Sequence, residues 1–135
     1  MKKIVSVIMT TVVLMVILCS CKNTVDVLTN QYVDFNKVYA ECELDSSYAT
    51  VASDGSYLKI EGYYGDRTSK ELKTVLDASK AYPIVNRQLG LPESLDEKIG
   101  HTSGLDGKQT EEYDNVKVTW SYNANNGIMI LYERK

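Results

Sequence analysis

The stretch "VKVTWSY" at residues 116–122 is compatible with little other than a β-strand. Val116, Val118, Trp120 and Tyr122 alternate with Lys117, Thr119 and Ser121. A period of two puts the first set on one face and the second on the other, whereas a helix would scatter both around its surface. "ANNG" follows as a turn, and "IMILYE" returns with Ile128, Ile130 and Tyr132 on one side. Met129 and Leu131 are apolar as well, so this returning strand reads as covered on both faces. The preceding "KQTEEY" is polar and reads as an edge strand. A meander with one apolar face requires a second layer to bury it.

A second strand pair is written in "YATVASDGSYLKIEGYY" at residues 48–64. Asp54-Gly55 is a two-residue hairpin signal, in which both turn positions take positive φ. Folding about it pairs Ala52 with Tyr57, Val51 with Leu58 and Ala49 with Ile60. Val51, Leu58, Ala49 and Ile60 then share a face.

Helical signals lie between the two strand groups. Thr68 and Glu71 have the spacing of a capping box, hydroxyl forward and carboxylate back. Leu72, Val75, Leu76 and Ser79 form one stripe with lysines opposite. Pro83 is expected to stop or kink this helix near Ala81. "PIVNRQLG" adds a further turn or two, with Gly90 as the C′ residue. Pro92 opens a second helix, "PESLDEKIGHT", with Glu93 in its first turn and Leu95 and Ile99 facing the core. Residues 32–44 fit a strand and a short helix equally well: Val38, Tyr39 and Cys42 follow helical spacing, while Tyr32, Val33 and Phe35 suit an extended chain. The order β-β-α-α-β-β-β describes an α+β fold of two layers, an antiparallel sheet with two helices on one face. Residues 32–135 form the single domain in this reading.

The N-terminus has a different character. Met1-Lys2-Lys3 precedes "IVSVIMTTVVLMVIL", an uncharged apolar run of fifteen residues. That is the length of a signal-peptide core and short of the roughly 20 residues that cross a bilayer. Leu18-Cys19-Ser20-Cys21 follows. Leu-x-Ser-Cys resembles the bacterial lipobox. The resemblance implies that the Cys21 thiol receives a diacylglycerol group and that a lipoprotein signal peptidase cuts after Ser20. An ordinary signal peptide and an uncleaved anchor are the competing readings. With the lipobox, residues 1–20 are signal peptide and residues 21–31 a lipidated start and polar tether. The domain then sits outside the cytoplasm, held to the cell membrane by its lipid, palmitate among the expected acyl chains.

Charge and cysteine content narrow the partners. The chain has a net charge of −3, and loss of Lys2 and Lys3 with the signal peptide takes it to −5. A nucleic-acid or anionic-lipid binder would want a basic face instead. Of three cysteines, Cys19 would leave and Cys21 would be capped, so Cys42 alone remains as a thiol and no internal disulfide is possible. Cys42 is either a small buried hydrophobe or an exposed thiol able to pair between chains.

Catalytic patterns are sparse. His101 is the sole histidine, and zinc sites need several ligands at set spacing. No metal site, catalytic group or cofactor is expected. Ser103 lies near His101 in "HTSG", without a G-x-S-x-G elbow. The acidic pairs Glu41/Glu43, Glu111/Glu112 and Asp96/Glu97 read as solvated charge, because neighbours on a strand face opposite ways. Two places read as binding candidates. "YYGDR" gathers Tyr63, Tyr64, Asp66 and Arg67 at a strand-to-helix junction. Trp120 and Tyr122 would form an aromatic platform if no helix covers them. The expected function is non-enzymatic: a binding or structural role in the cell envelope, with an envelope or extracellular protein as partner. A hydrolase acting on an envelope or extracellular substrate is the alternative.

"SDGSYL", "LGLPESLDEKI", "LDGKQT", "VTWSY" and "NGIMILYERK" together resemble a group of small, uncharacterised lipoproteins and secreted proteins of Gram-positive bacteria. The group has Y-H-P where this chain has Tyr122-Asn123-Ala124, so a histidine is missing here, and with it support for a metal or catalytic role at that point. The resemblance implies a common fold and no particular activity. The order of two helices then three strands, from Thr68 to Glu133, is also similar to outer-membrane assembly lipoproteins and β-lactamase-inhibitor-like domains, and a fold of that kind does not fix function.

Overall fold

The alternating strand at 116–122 is the centre of the meander it predicts. In a computed structural model describing residues 32–62, 68–124 and 127–135, the elements run α1 (Phe35–Glu41), β1 (Ala49–Val51), β2 (Tyr57–Glu61), α2 (Ser69–Gln88), α3 (Glu93–His101), β3 (Gln109–Glu112), β4 (Val116–Asn123) and β5 (Gly127–Arg134). The strands form one antiparallel sheet in the order β1-β2-β5-β4-β3. The fold is α+β, with the helices packed on one side of the sheet. The ambiguous segment 32–44 resolves as helix: Asp34 caps α1 by accepting the Asn36 N–H at 2.9 Å.

Register carries the core across the sheet. Ala49 stands opposite Ile60, Ile60 opposite Ile130, and Ile130 opposite Trp120; Leu58, Tyr132 and Val118 form the next row. These side chains are buried, in one cluster with Phe35, Ala78, Val85, Leu95 and Ile99 from the helices. Each full burial of a large apolar side chain contributes about 1.5–3 kcal/mol. The opposite face is polar, and Met129 and Leu131 do not meet a second layer among the described residues. They are half-buried and outside the core cluster, Leu131 standing between Lys59 and Thr119 on the neighbouring strands. Lys117 and Glu133 pair across β4 and β5 at 2.9 Å on this face.

The hairpin has the expected register and a different turn. Among described residues other than glycine, only Glu43 has positive φ, so Asp54 does not, while Gly55 sits at φ 66°. The Gly55 N–H donates to the Ala52 carbonyl at 2.9 Å, a tight turn over Ser53 and Asp54 that ends on a left-handed glycine. Asp54 stays right-handed because its carboxylate accepts the Ser56 N–H at 3.0 Å.

Helix α2 departs from its sequence reading in two respects. The capping box forms as expected, with the Thr68 N–H donating to Glu71 at 2.9 Å and the Glu71 N–H to Thr68 Oγ1 at 3.4 Å. The buried stripe, however, is Val75, Ala78, Ala81, Val85 and Asn86, while Leu72 and Leu76 face out. Close approach explains the choice: a Cβ on Gly62 at the end of β2 would fall 2.9 Å from Val75 Cα. Val75 makes that contact, and the small Ala78 and Ala81 follow it on the buried face. Pro83 does not stop the helix, which runs through it to Gln88. The end is a Schellman turn, with Leu91 N–H to Asn86 O at 2.9 Å, Gly90 N–H to Arg87 O at 3.1 Å and Gly90 at φ 65°. Pro92 then takes the N-cap of α3, and Leu95 and Ile99 are buried as the pattern requires.

Candidate functional site

Of the residues nominated from sequence, Cys21, Tyr63, Tyr64, Asp66 and Arg67 lie outside the described residues. Trp120 is in the core, 3% exposed. It is no open aromatic platform: it lies in one core cluster with Leu95 and Ile99 of α3, and Thr102, just beyond α3, takes its one polar group. The indole N–H donates to Thr102 Oγ1 at 2.8 Å, and that hydroxyl donates onward to the Lys98 carbonyl at 2.7 Å. Tyr122 is half-buried and packs against the same core.

This anchoring fixes one wall of a groove of about 300 Å³, lined by His101, Thr102, Asp106, Gln109, Glu111 and Trp120 among others. Its polar groups are largely satisfied by one another. Asp106 accepts the Ser103 N–H at 2.6 Å and the Ser103 hydroxyl at 2.8 Å. Those bonds hold its carboxyl below the usual range. Ser103 is therefore engaged in its own turn and is not presented to His101 as a nucleophile would be to its base. Glu111 pairs with Lys98 and accepts from the Tyr113 hydroxyl at 2.7 Å. The two bonds, Lys98 first, lower the Glu111 pKa. Burial, then the Glu111 carboxylate, pushes Tyr113 up to about 12. A glutamate held ionised in this way is a weak proton acceptor near neutral pH.

A further polar arrangement lies inside the domain. The Tyr132 hydroxyl, fully buried on β5, donates to Asn86 Oδ1 at 2.7 Å, and the Asn86 amide donates to Asp96 Oδ1 at 2.5 Å. The chain links the sheet to α2 and α3. Asp96, half-buried and expected as solvated charge with Glu97, ends this relay by accepting from Asn86. Burial first, then Asp96, raises the Tyr132 pKa well above its usual value, and the same causes raise Tyr82. The available signal was an asparagine on the buried stripe of α2, and that signal was hidden while Leu72 and Leu76 stood for the stripe.

Two further grooves flank α2. One, of about 540 Å³, runs between Val33, the Leu89–Leu91 turn and the β3–β4 turn at Tyr113 and Asn115. The other, of about 420 Å³, lies between the α1–β1 connection and α2, and includes Cys42, Tyr48, Lys73, Asp77 and Lys80. Cys42 is half-buried against the core, and burial, then Glu41, raises its thiol pKa. Near the root of the chain, the Arg134 guanidinium stacks on the Tyr32 ring at 3.9 Å, with Nη1 buried and without a hydrogen-bond partner among the described residues. Among the described residues no three of His, Cys, Asp and Glu are placed to hold a metal ion. No protein-family model, no curated protein and no solved structure matches this chain.

Proposed function

We propose that this protein is a lipoprotein of the cell membrane. Its α+β domain is held outside the cytoplasm and has a binding or structural role in the envelope. The observation that carries the reading is the order of features at the N-terminus: Lys2-Lys3, an apolar run, then Leu18-Cys19-Ser20-Cys21. In the modification, Cys21 Sγ forms a thioether with the glycerol carbon of a phospholipid. The headgroup phosphate leaves, and the thiol proton goes to solvent. Each buried CH₂ is worth about 0.8 kcal/mol, so two or three acyl chains anchor stably where one does not. Tyr63, Tyr64 and Arg67 are the residues proposed to touch a partner.

Intact mass and acyl labelling of the chain purified from bacterial membranes test the anchor. The expected product begins at Cys21 and carries a diacylglycerol mass that Cys21→Ser abolishes. A product retaining Met1, or an unmodified Cys21, overturns the reading.

A further inference from the structure

Helix α2 exposes an unusual combination of side chains. Leu72, Leu76 and Ile84 are 44, 58 and 48% exposed. The basic residues Lys70, Lys73, Lys80 and Arg87 are exposed on the same helix; one acid, Asp77, lies on the same side at 26% side-chain exposure and pairs with Lys73. At 100° per residue these seven fall on one outward arc, opposite Val75, Ala78, Ala81 and Val85. Glu71 and Asp77 are its acids, so α2 carries a charge of +2 within a chain of net −3. Apolar side chains flanked by lysine and arginine suit the boundary of an anionic bilayer, where the hydrocarbon enters the headgroup layer and the cations meet phosphate. A protein core offers such a face nothing, and the sheet already covers the other side of α2.

The chain's path favours the same surface. Val33, at the root of the domain, lines one groove with Leu89, Gly90 and Leu91, which lie just beyond the C-terminal end of α2. Between Cys21 and that root lie the ten residues 22–31, plus Tyr32. Ten residues reach about 35 Å at full extension and about 16–19 Å as a flexible coil. Helix α2, with 20 residues, is about 30 Å long. The tether's reach is thus comparable to the length of α2, which lets a membrane anchored through Cys21 meet the exposed arc.

We propose that the outward face of α2 lies on the anionic headgroup surface of the bilayer that holds the chain. Leu72, Leu76 and Ile84 enter the headgroup boundary, and Lys70, Lys80 and Arg87 meet lipid phosphates, Lys73 being held by Asp77. The proposal rests on the lipidation of Cys21. The lipidated protein, with Cys42→Ser to leave one reactive thiol, is reconstituted into phosphatidylcholine vesicles with and without phosphatidylglycerol. An environment-sensitive fluorophore is attached at Leu76→Cys or, on the opposite side of the domain, at Thr50→Cys. The expected result is a blue shift at position 76 only, only with phosphatidylglycerol, and reversed by high salt. A basic residue near an anionic surface is worth about fivefold in partitioning, so adding Lys70→Glu and Lys80→Glu abolishes the shift. Vesicle flotation separates the two readings. Protein that does not float overturns the anchor and this proposal with it. Protein that floats without a shift at position 76, or with equal shifts in both lipid compositions or at both sites, overturns the α2 surface alone. A shift seen only with envelope extract, and lost on protease treatment of that extract, assigns the face to a protein and also overturns it.

Discussion

The Tyr132 hydroxyl donates to Asn86 Oδ1 at 2.7 Å in the interior of the domain. Both residues are essentially inaccessible, and Asp96 accepts from the asparagine's amide at the far end. A buried polar group left without its partner costs about 1–3 kcal/mol. Tyr132→Phe is therefore expected to lose about 1–3 kcal/mol in urea unfolding, by stranding Asn86 Oδ1. Asn86→Ala should lose more, because it strands the phenol, uncovers Asp96 and opens a cavity. The double variant should fall short of the sum by at least 0.5 kcal/mol, as directly bonded pairs do. Strict additivity would show that the relay contributes nothing as a unit.

The tyrosines set an alkaline limit. Tyr132, Tyr113, Tyr82 and Tyr39 all have pKa values raised from 10.0, with burial as the first cause. Their stabilising contribution is fully present below pH 10. As pH rises above that, the unfolded chain releases phenolic protons while the folded chain keeps them, so stability falls. Asp45, Asp54, Asp106 and Glu111 are lowered, chiefly by hydrogen bonds. Their contribution is present above the ordinary carboxylate range and is lost as pH falls through and below it. The urea midpoint is expected to be flat from about pH 5 to 9 and to drop on either side. A midpoint unchanged between pH 10 and 12 would contradict the burial of these phenols.

Local signals in the sequence were legible, and close packing was not. The alternation around Trp120, the pairing of Ala49 with Ile60, the Thr68–Glu71 box and the Gly90 turn each depend on residues within a few positions of one another, and each is present. The stripe of α2 depends on how near the helix comes to β2, a distance set by Gly62 and visible only in three dimensions. Alanine is a weak hydrophobe by composition and a good one by shape at such a contact. Helix α1 was ambiguous because its cap, Asp34, is oriented by the turn at Gly55, which is distant in sequence. For the candidate site, Trp120 was found as an aromatic on a strand, but its indole proton is taken by Thr102, beyond the reach of strand periodicity.

The two faces of α2 should respond differently to truncation. Val85→Ala removes buried methyl groups from the core cluster and is expected to cost about 1–3 kcal/mol. Leu76→Ala changes a side chain that is mostly in water and should stay within about 0.5 kcal/mol in the protein free of membrane. Chemical denaturation of the two variants side by side checks this. A cost at Leu76 equal to that at Val85 would mean the stripe lies where the leucines are.

Pro83 sits inside a continuous helix and has no N–H for the Ser79 carbonyl. Proline in a helix interior costs about 3 kcal/mol relative to alanine. The rigid ring also restricts the unfolded chain, which offsets about 0.4–1 kcal/mol of that. Pro83→Ala is expected to raise stability by about 2–2.6 kcal/mol, read as a higher melting temperature with unchanged circular dichroism. A loss of stability would show that the ring's packing outweighs the missing hydrogen bond.

Gly55 joins the hairpin to α1. Its carbonyl accepts the Phe35 N–H at 3.2 Å, and a Cβ at this position would lie 2.3 Å from Asp34 Oδ1, the atom that caps α1. Gly55→Ala therefore does two things: it places alanine at φ 66°, and it pushes the capping carboxylate away. The left-handed backbone alone costs roughly 1 kcal/mol, and loss of an aspartate cap costs about 1 kcal/mol more. The single variant should lose about 2 kcal/mol or more in denaturant unfolding. In an Asp34→Ala background the cap is already gone and the clash has no partner, so the same change should cost only the backbone part. An undiminished cost in that background would separate Gly55 from the cap and leave the start of α1 without its link to the hairpin.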